Sequence, residues 1–171
     1  MAAPPGLYFE DYALDQPMTT RARTITEADI VQFAGLTGDY NPMHTDAELM
    51  KRSPFGQRIA HGMLTLSYAV GQAYQLGFME GRVLAFRGLE MKFSLPVFIG
   101  DTVHVVLAVK EKKEALRMGG GLVTLDVKIV NQDGKTVQSG TWTVLVSSRA
   151  AEEAAARRAA VADSPPPGQG A

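Results

Sequence analysis

An α+β fold, with a curved antiparallel sheet wrapped around one long helix, is what this chain predicts, and three observations predict it. From Gly62 to Met79 eighteen residues pass without a charge; a helix with no polar face must be covered all round. Val103, Val105, Leu107 and Val109 alternate with other residues, and Val123, Leu125, Val127 and Ile129 do the same. That is the period of strands with one face on a core and one in solvent. Asn131-Gln132-Asp133-Gly134 then gives a hairpin signal before a last apolar run, Trp142, Val144 and Val146. One apolar helix and four or five one-sided strands bury each other best with the sheet curved around the helix. A single curved sheet leaves edge strands open, so edge-to-edge pairing into a homodimer or higher homo-oligomer is expected.

The other elements follow in order. Residues 1 to 23 hold Pro4, Pro5 and Pro17 and predict an irregular segment with one short strand near Met18 to Arg23. Thr26, with Asp29 three residues on, predicts a capped helix whose Ile30, Phe33 and Ala34 face inward and which ends between Gly35 and Gly38. A turn over Gly38 to Met43 follows. Asp46 caps a short helix to about Arg52, and residues 53 to 61 form a loop. The uncharged helix runs from Gly62 to Leu76 with Gly77 as its stop, and Gly71 would let a strand approach it closely. Strands are expected over Arg82 to Ser94, with an irregularity at Gly88, and over Lys135 to Val146. Residues 1–147 form one domain. The tail, 148–171, divides into a solvated helix of Ala, Glu and Arg and a Pro/Gly-rich end that is disordered on composition.

Composition excludes several classes. Of 171 residues, 46% are hydrophobic and 20% charged, enough for one core. A net charge of −1 gives no field to draw nucleic acid or an acidic membrane. The absence of cysteine removes disulfides, thiolate nucleophiles and Cys-bound zinc. The N-terminus has neither a basic start nor an apolar core, so a cytoplasmic protein is expected. The uncharged segment nominally reaches the length of a membrane span. Gln72 and Gln75 would be costly in hydrocarbon, and a buried helix is the better reading.

The chemistry concentrates in Gly38 to Gly62. Asp39, Asn41 and His44 fall within six residues, and His61-Gly62 opens the uncharged helix. A carboxylate and an imidazole sharing one water can divide proton removal and proton donation between them. Asn41 can orient that water or fix the loop through its own backbone. At a helix start the Gly62 N–H is unpaired, and without a side chain a carbonyl oxygen can approach it, which is the logic of an oxyanion hole. Bland readings stand beside these. Asp and Asn next to Gly and Pro are ordinary turn formers. His61 reads better as a helix-entry residue bonding the backbone than as a catalyst, and His104 has no assigned role. His44, Asp46 and His61 lack a metal-ligand spacing, so no metal is expected. Met43, Met63 and Met91 are candidates for an acyl pocket, though methionine more often fills core. Lys51, Arg52 and Arg58 could meet phosphates but read as surface charges.

Two runs, TGDYNPMH at Thr37–His44 and IAHGML at Ile59–Leu64, resemble the MaoC-like dehydratases, the (R)-specific enoyl-CoA hydratase family with the hotdog fold. The resemblance covers roughly Leu7 to Ser147, including the Thr26–Ala34 helix and the PVFIGDT turn at Pro96–Thr102. It implies catalytic roles for Asp39 and His44, a supporting role for Asn41, and a Gly62 N–H that holds the thioester oxygen. Met43, His61 and Met63 are the accompanying candidates for substrate contact. The implied reaction adds water reversibly to a trans-2-enoyl-CoA, giving a (3R)-3-hydroxyacyl-CoA. It takes no cofactor, coenzyme A being part of the substrate. The resemblance also implies dimers with the acyl-CoA near the subunit interface. Gln16-Pro17 stands where many relatives carry a glycine, and the tail lies outside the family core. A non-catalytic acyl-CoA-binding subunit and a thioesterase are the alternative functions on this fold.

Overall fold

The computed structural model describes residues 6–162. Its strands are β1 (Met18–Thr19), β2 (Arg23–Thr24), β3 (Val83–Phe93), β4 (Thr102–Ala115), β5 (Gly120–Val130) and β6 (Thr136–Ser147). They form one antiparallel sheet in the order β1-β4-β5-β6-β3, with β2 also on β4. The helices are α1 (Glu27–Thr37), α2 (Pro42–Thr45), α3 (Ala47–Lys51), α4 (Gly62–Tyr74) and α5 (Arg149–Ala162).

The alternating strands stand as expected, with Val103, Val105, Val123, Leu125, Val127, Ile129, Trp142, Val144 and Val146 buried in one core. Asn131 Oδ1 accepts the N–H groups of Asp133 and Lys135 and so builds the β5–β6 hairpin. The register of β3 slips between Phe86 and Gly88, at the expected irregularity. The single N-terminal strand is instead two short ones. Between them the Thr20 hydroxyl, not a carbonyl, takes the Val105 N–H at 2.9 Å, which interrupts the ladder.

α1 has the predicted reciprocal cap. Thr26 Oγ1 accepts the Asp29 N–H and Asp29 Oδ2 accepts the Thr26 N–H at 2.7 Å. Gly38, at φ 76°, ends the helix and turns the chain toward Asp39.

α4 differs from expectation. It buries Leu64, Thr65, Leu66, Ala69, Gln72 and Ala73, but Met63, Ser67, Val70, Gly71 and Tyr74 form an exposed stripe on its other side. The chain's own sheet wraps only part of the helix, so one face stays open. Gly71 lies on that face, and a Cβ there would meet nothing within 4 Å. Its place is therefore not a close approach by a strand. Gln72, a polar residue on the buried side, donates from Nε2 to the Arg21 carbonyl at 2.7 Å. The helix ends at Tyr74, slightly early, with Gly77 beyond it at φ 82°. Among the described residues no helix is long and apolar enough to cross a membrane.

Among the described residues β3 bonds only to β6, leaving its other edge free. Phe86, Leu89 and Phe93 pair with Val144, Trp142 and Gln138, so they share the inner face of the sheet, yet each is about half exposed. After β6 the expected tail helix forms as α5, but its first turn is docked. Arg149 meets the Asp11 carboxylate at 2.5 and 2.6 Å, and Arg82 pairs with Glu152. The Pro/Gly-rich end lies outside the described residues.

Candidate active site

Local hydrogen bonds shape the segment after α1. The Asn41 N–H donates to Asp39 Oδ1 at 3.2 Å, and the Met43 N–H donates to Asn41 Oδ1 at 3.1 Å. Asn41 thus caps α2, a single helical turn with Pro42 at its start, where the sequence predicts a turn over Gly38 to Met43. This turn carries His44 inward to 6% exposure, while Asp39 stays at the surface.

His44 Nδ1 lies 2.8 Å from the Ile59 carbonyl. A carbonyl only accepts, so Nδ1 holds the proton and Nε2 presents its lone pair. Ile59 also donates its N–H to the Met43 carbonyl at 3.1 Å, locking α2 to the loop before α4. Burial lowers the pKa of His44, with the neighbouring His61 adding to it; the Ile59 bond and the Asp39 charge oppose the shift without reversing it.

His61 is 2% exposed. Its Nε2–H donates to the Asp39 carbonyl at 3.0 Å, as a helix-entry residue bonding the backbone should. Its Nδ1 is enclosed without a hydrogen-bond partner. The ring stacks on His44 with centroids 3.8 Å apart and planes at 26°, and Phe33 of α1 sits 5.1 Å away. Polar side-chain atoms of Asp39, His44 and His61 come within 4.8 Å of one another. Asp46 is no part of this cluster: its carboxylate caps α3 by accepting the Leu49 N–H at 2.9 Å.

Gly62 is the first residue of α4, so its N–H has no partner one turn back in the helix. Its carbonyl accepts from Gln138 Nε2 on β6 at 2.9 Å. The Phe93 ring lies against its Cα, and a Cβ there would stand 2.7 Å from that ring. A side chain at 62 would therefore force the half-exposed Phe93 ring to move.

His44 and Gly62 meet at a cavity of about 390 Å³, while Asp39 and His61 stand behind His44 and outside its lining. Met43, His44, Phe55, Gly62, Thr65 and Phe93 line it, with Gln138 beside Gly62. Met63 stands on the open face of α4, and Met91 packs against the core. Lys51 and Arg58 are engaged by Glu48 and Glu27. Sequence reading missed Gln138 and Phe93. For Gln138 a signal existed: counting back by twos from Trp142 puts a polar residue on the apolar face of β6.

The family model described as the MaoC like domain matches residues 10–132. The chain belongs to the MaoC-like family. It has the family's hotdog architecture, a helix held in an antiparallel sheet. The (R)-specific enoyl-CoA hydratase of Rhodospirillum rubrum is 35% identical over 143 residues, 83% of this chain and 93% of the relative. Protein MaoC of Klebsiella aerogenes is 41% identical over 106 residues, 61% of this chain; the match spans only 31% of that longer protein. Among solved structures, the monoamine oxidase regulatory protein of Archaeoglobus fulgidus superposes with a TM-score of 0.80 at 37% identity, covering 86% of this chain and 99% of that one.

Proposed function

We propose that this MaoC-like chain is a hydro-lyase that adds water reversibly to a trans-2-enoyl-CoA to give a (3R)-3-hydroxyacyl-CoA. One observation carries the reading: a neutral imidazole with a free Nε2 lone pair and a carboxylate stand together at the mouth of a helix whose first N–H has no partner one turn back. His44 Nε2 takes a proton from water as the water oxygen bonds to C3, with Asp39 orienting that water. Negative charge moves onto the thioester oxygen, where the Gly62 N–H and the positive end of the α4 dipole stabilise it. The enolate collapses as C2 takes a proton back from the Asp39/His44 pair, which ends the cycle as it began. Asn41 supports the site by capping α2, and Met43 contacts the acyl group at the cavity wall. The reaction uses no metal and no cofactor beyond the coenzyme A of its substrate. The names of the R. rubrum relative, and of the 3-hydroxybutyryl-CoA dehydratase of Methylorubrum extorquens at 36% identity, support this class.

The test is hydration of crotonyl-CoA, followed by loss of the enoyl thioester absorbance. Asp39→Asn and His44→Ala should each lower kcat by about 10²- to 10⁴-fold with the fold retained. Near-wild-type rates in either folded variant would remove the assigned roles. The likeness to a protein named as regulatory favours a second reading, a non-catalytic acyl-CoA-binding subunit. Binding of CoA esters with no turnover would select it. Release of free thiol from a saturated acyl-CoA would select a thioesterase.

A further inference from the structure

The geometry points to His61 as a positioning residue that serves both members of the acid/base pair, an inference that rests on the hydratase reading. Its Nε2–H holds the Asp39 carbonyl at 3.0 Å, and its ring forms a platform 3.8 Å from that of His44. It also immediately precedes Gly62, so one side chain ties together three groups that the sequence spreads over Asp39 to Gly62.

Hydrogen bonding fixes the tautomer this role needs. The Asp39 carbonyl can only accept, so the proton of His61 sits on Nε2. In that tautomer Nδ1 is the acceptor nitrogen, and among the described residues it has no hydrogen-bond partner. Of the two stacked rings, His44 is the one that lines the cavity and takes the proton from water. Burial between His44 and Phe33 fixes the ring plane, and the bond to Asp39 fixes its rotation.

Two substitutions separate the two contacts. His61→Phe keeps an aromatic face for His44 and removes the donor to Asp39. His61→Gln keeps a donor and removes the ring. The expected result for each, in the full chain, is a fall in kcat for crotonyl-CoA hydration of about tenfold to a hundredfold, the penalty of a small misplacement, with KM changed less than about threefold. In ¹⁵N spectra of ligand-free protein, wild-type His44 should show the Nδ1–H tautomer. His61→Gln should shift those ring signals, and His61→Phe should leave them closer to wild type. Folded variants with kcat within about twofold of wild type would overturn the proposal. So would kcat and KM worsening together in step with a lowered melting temperature, which marks a structural role only. If wild type proves inactive on enoyl-CoA, the hydratase reading fails and the ring signals decide alone. His44 signals identical in wild type and His61→Gln then overturn the platform, and altered signals uphold it. Should His61→Phe not fold, His61→Gln carries both readouts.

Discussion

At the scale of single residues, the proposed chemistry turns on which nitrogen of His44 is free. The Ile59 carbonyl claims Nδ1–H, leaving Nε2 as the base. The base must be neutral to act, and burial holds its pKa below the ordinary 6.5. The sign follows directly. Activity is full where His44 is unprotonated and falls as pH drops through its lowered pKa. The acid limb of a kcat/KM profile should therefore lie below pH 6.5. A limb centred above that value would assign it to another group. Sequence reading reached Asp39, Asn41, His44 and Gly62 because they are close in the chain and chemically distinctive. It did not reach the partners of His61, Gly62 and His44, which come from 15 to 76 positions away.

Among the elements, α1 and α2 decide how the site is presented. The α1 cap was legible as Thr26 followed by Asp29, but its further partners were not. Asp29 also accepts from the Tyr68 hydroxyl of α4 at 2.6 Å and from Arg23 of β2 at 2.9 Å. Burial alone would raise the Asp29 pKa. The bonds from Tyr68, Thr26 and Arg23 outweigh it and lower the value from 3.8 to about 2. A depressed carboxylate contributes stability above its unfolded pKa, and that contribution is lost as pH falls through the folded one. Asp29→Asn should cost about 2 kcal/mol at neutral pH, measured by urea denaturation. The difference from wild type should shrink between pH 4 and pH 2. An unchanged gap across that window would show that the charge is not what holds the cap. α2 escaped notice because four residues are too few for a period, and the cap that makes it a helix belongs to a residue that also reads as a turn former.

At the scale of the whole molecule, the open side of α4 and the free edge of β3 belong together. Met63, Val70 and Tyr74 on the helix, with Phe86, Leu89 and Phe93 on the strand, leave large apolar side chains exposed. Such a surface beside an unpaired edge marks an interaction site. The homodimer expected from the sequence would cover it with a second copy, and because Phe93 also lines the cavity, the partner would shape the pocket. Light scattering at micromolar protein should give twice the 18.4 kDa chain mass. Leu89→Arg should yield monomer with reduced hydration. A monomeric wild type would require another explanation for the exposed face.

The sequence by itself determined the strands, the capped helix, the hairpin and which groups are candidates for the chemistry. Each depends on spacing within one element or on the chemistry of neighbours in the chain. Only the tertiary structure decided that α4 is covered on one side and bare on the other, since an uncharged helix carries no mark of which face its own sheet will reach. Packing likewise decided that the Phe93 ring lies where a side chain at 62 would stand. It also decided that Gln138 and His61 hold the site by bonding to backbone carbonyls. A carbonyl has the same identity at every position, so its partner becomes visible only when the chain has folded.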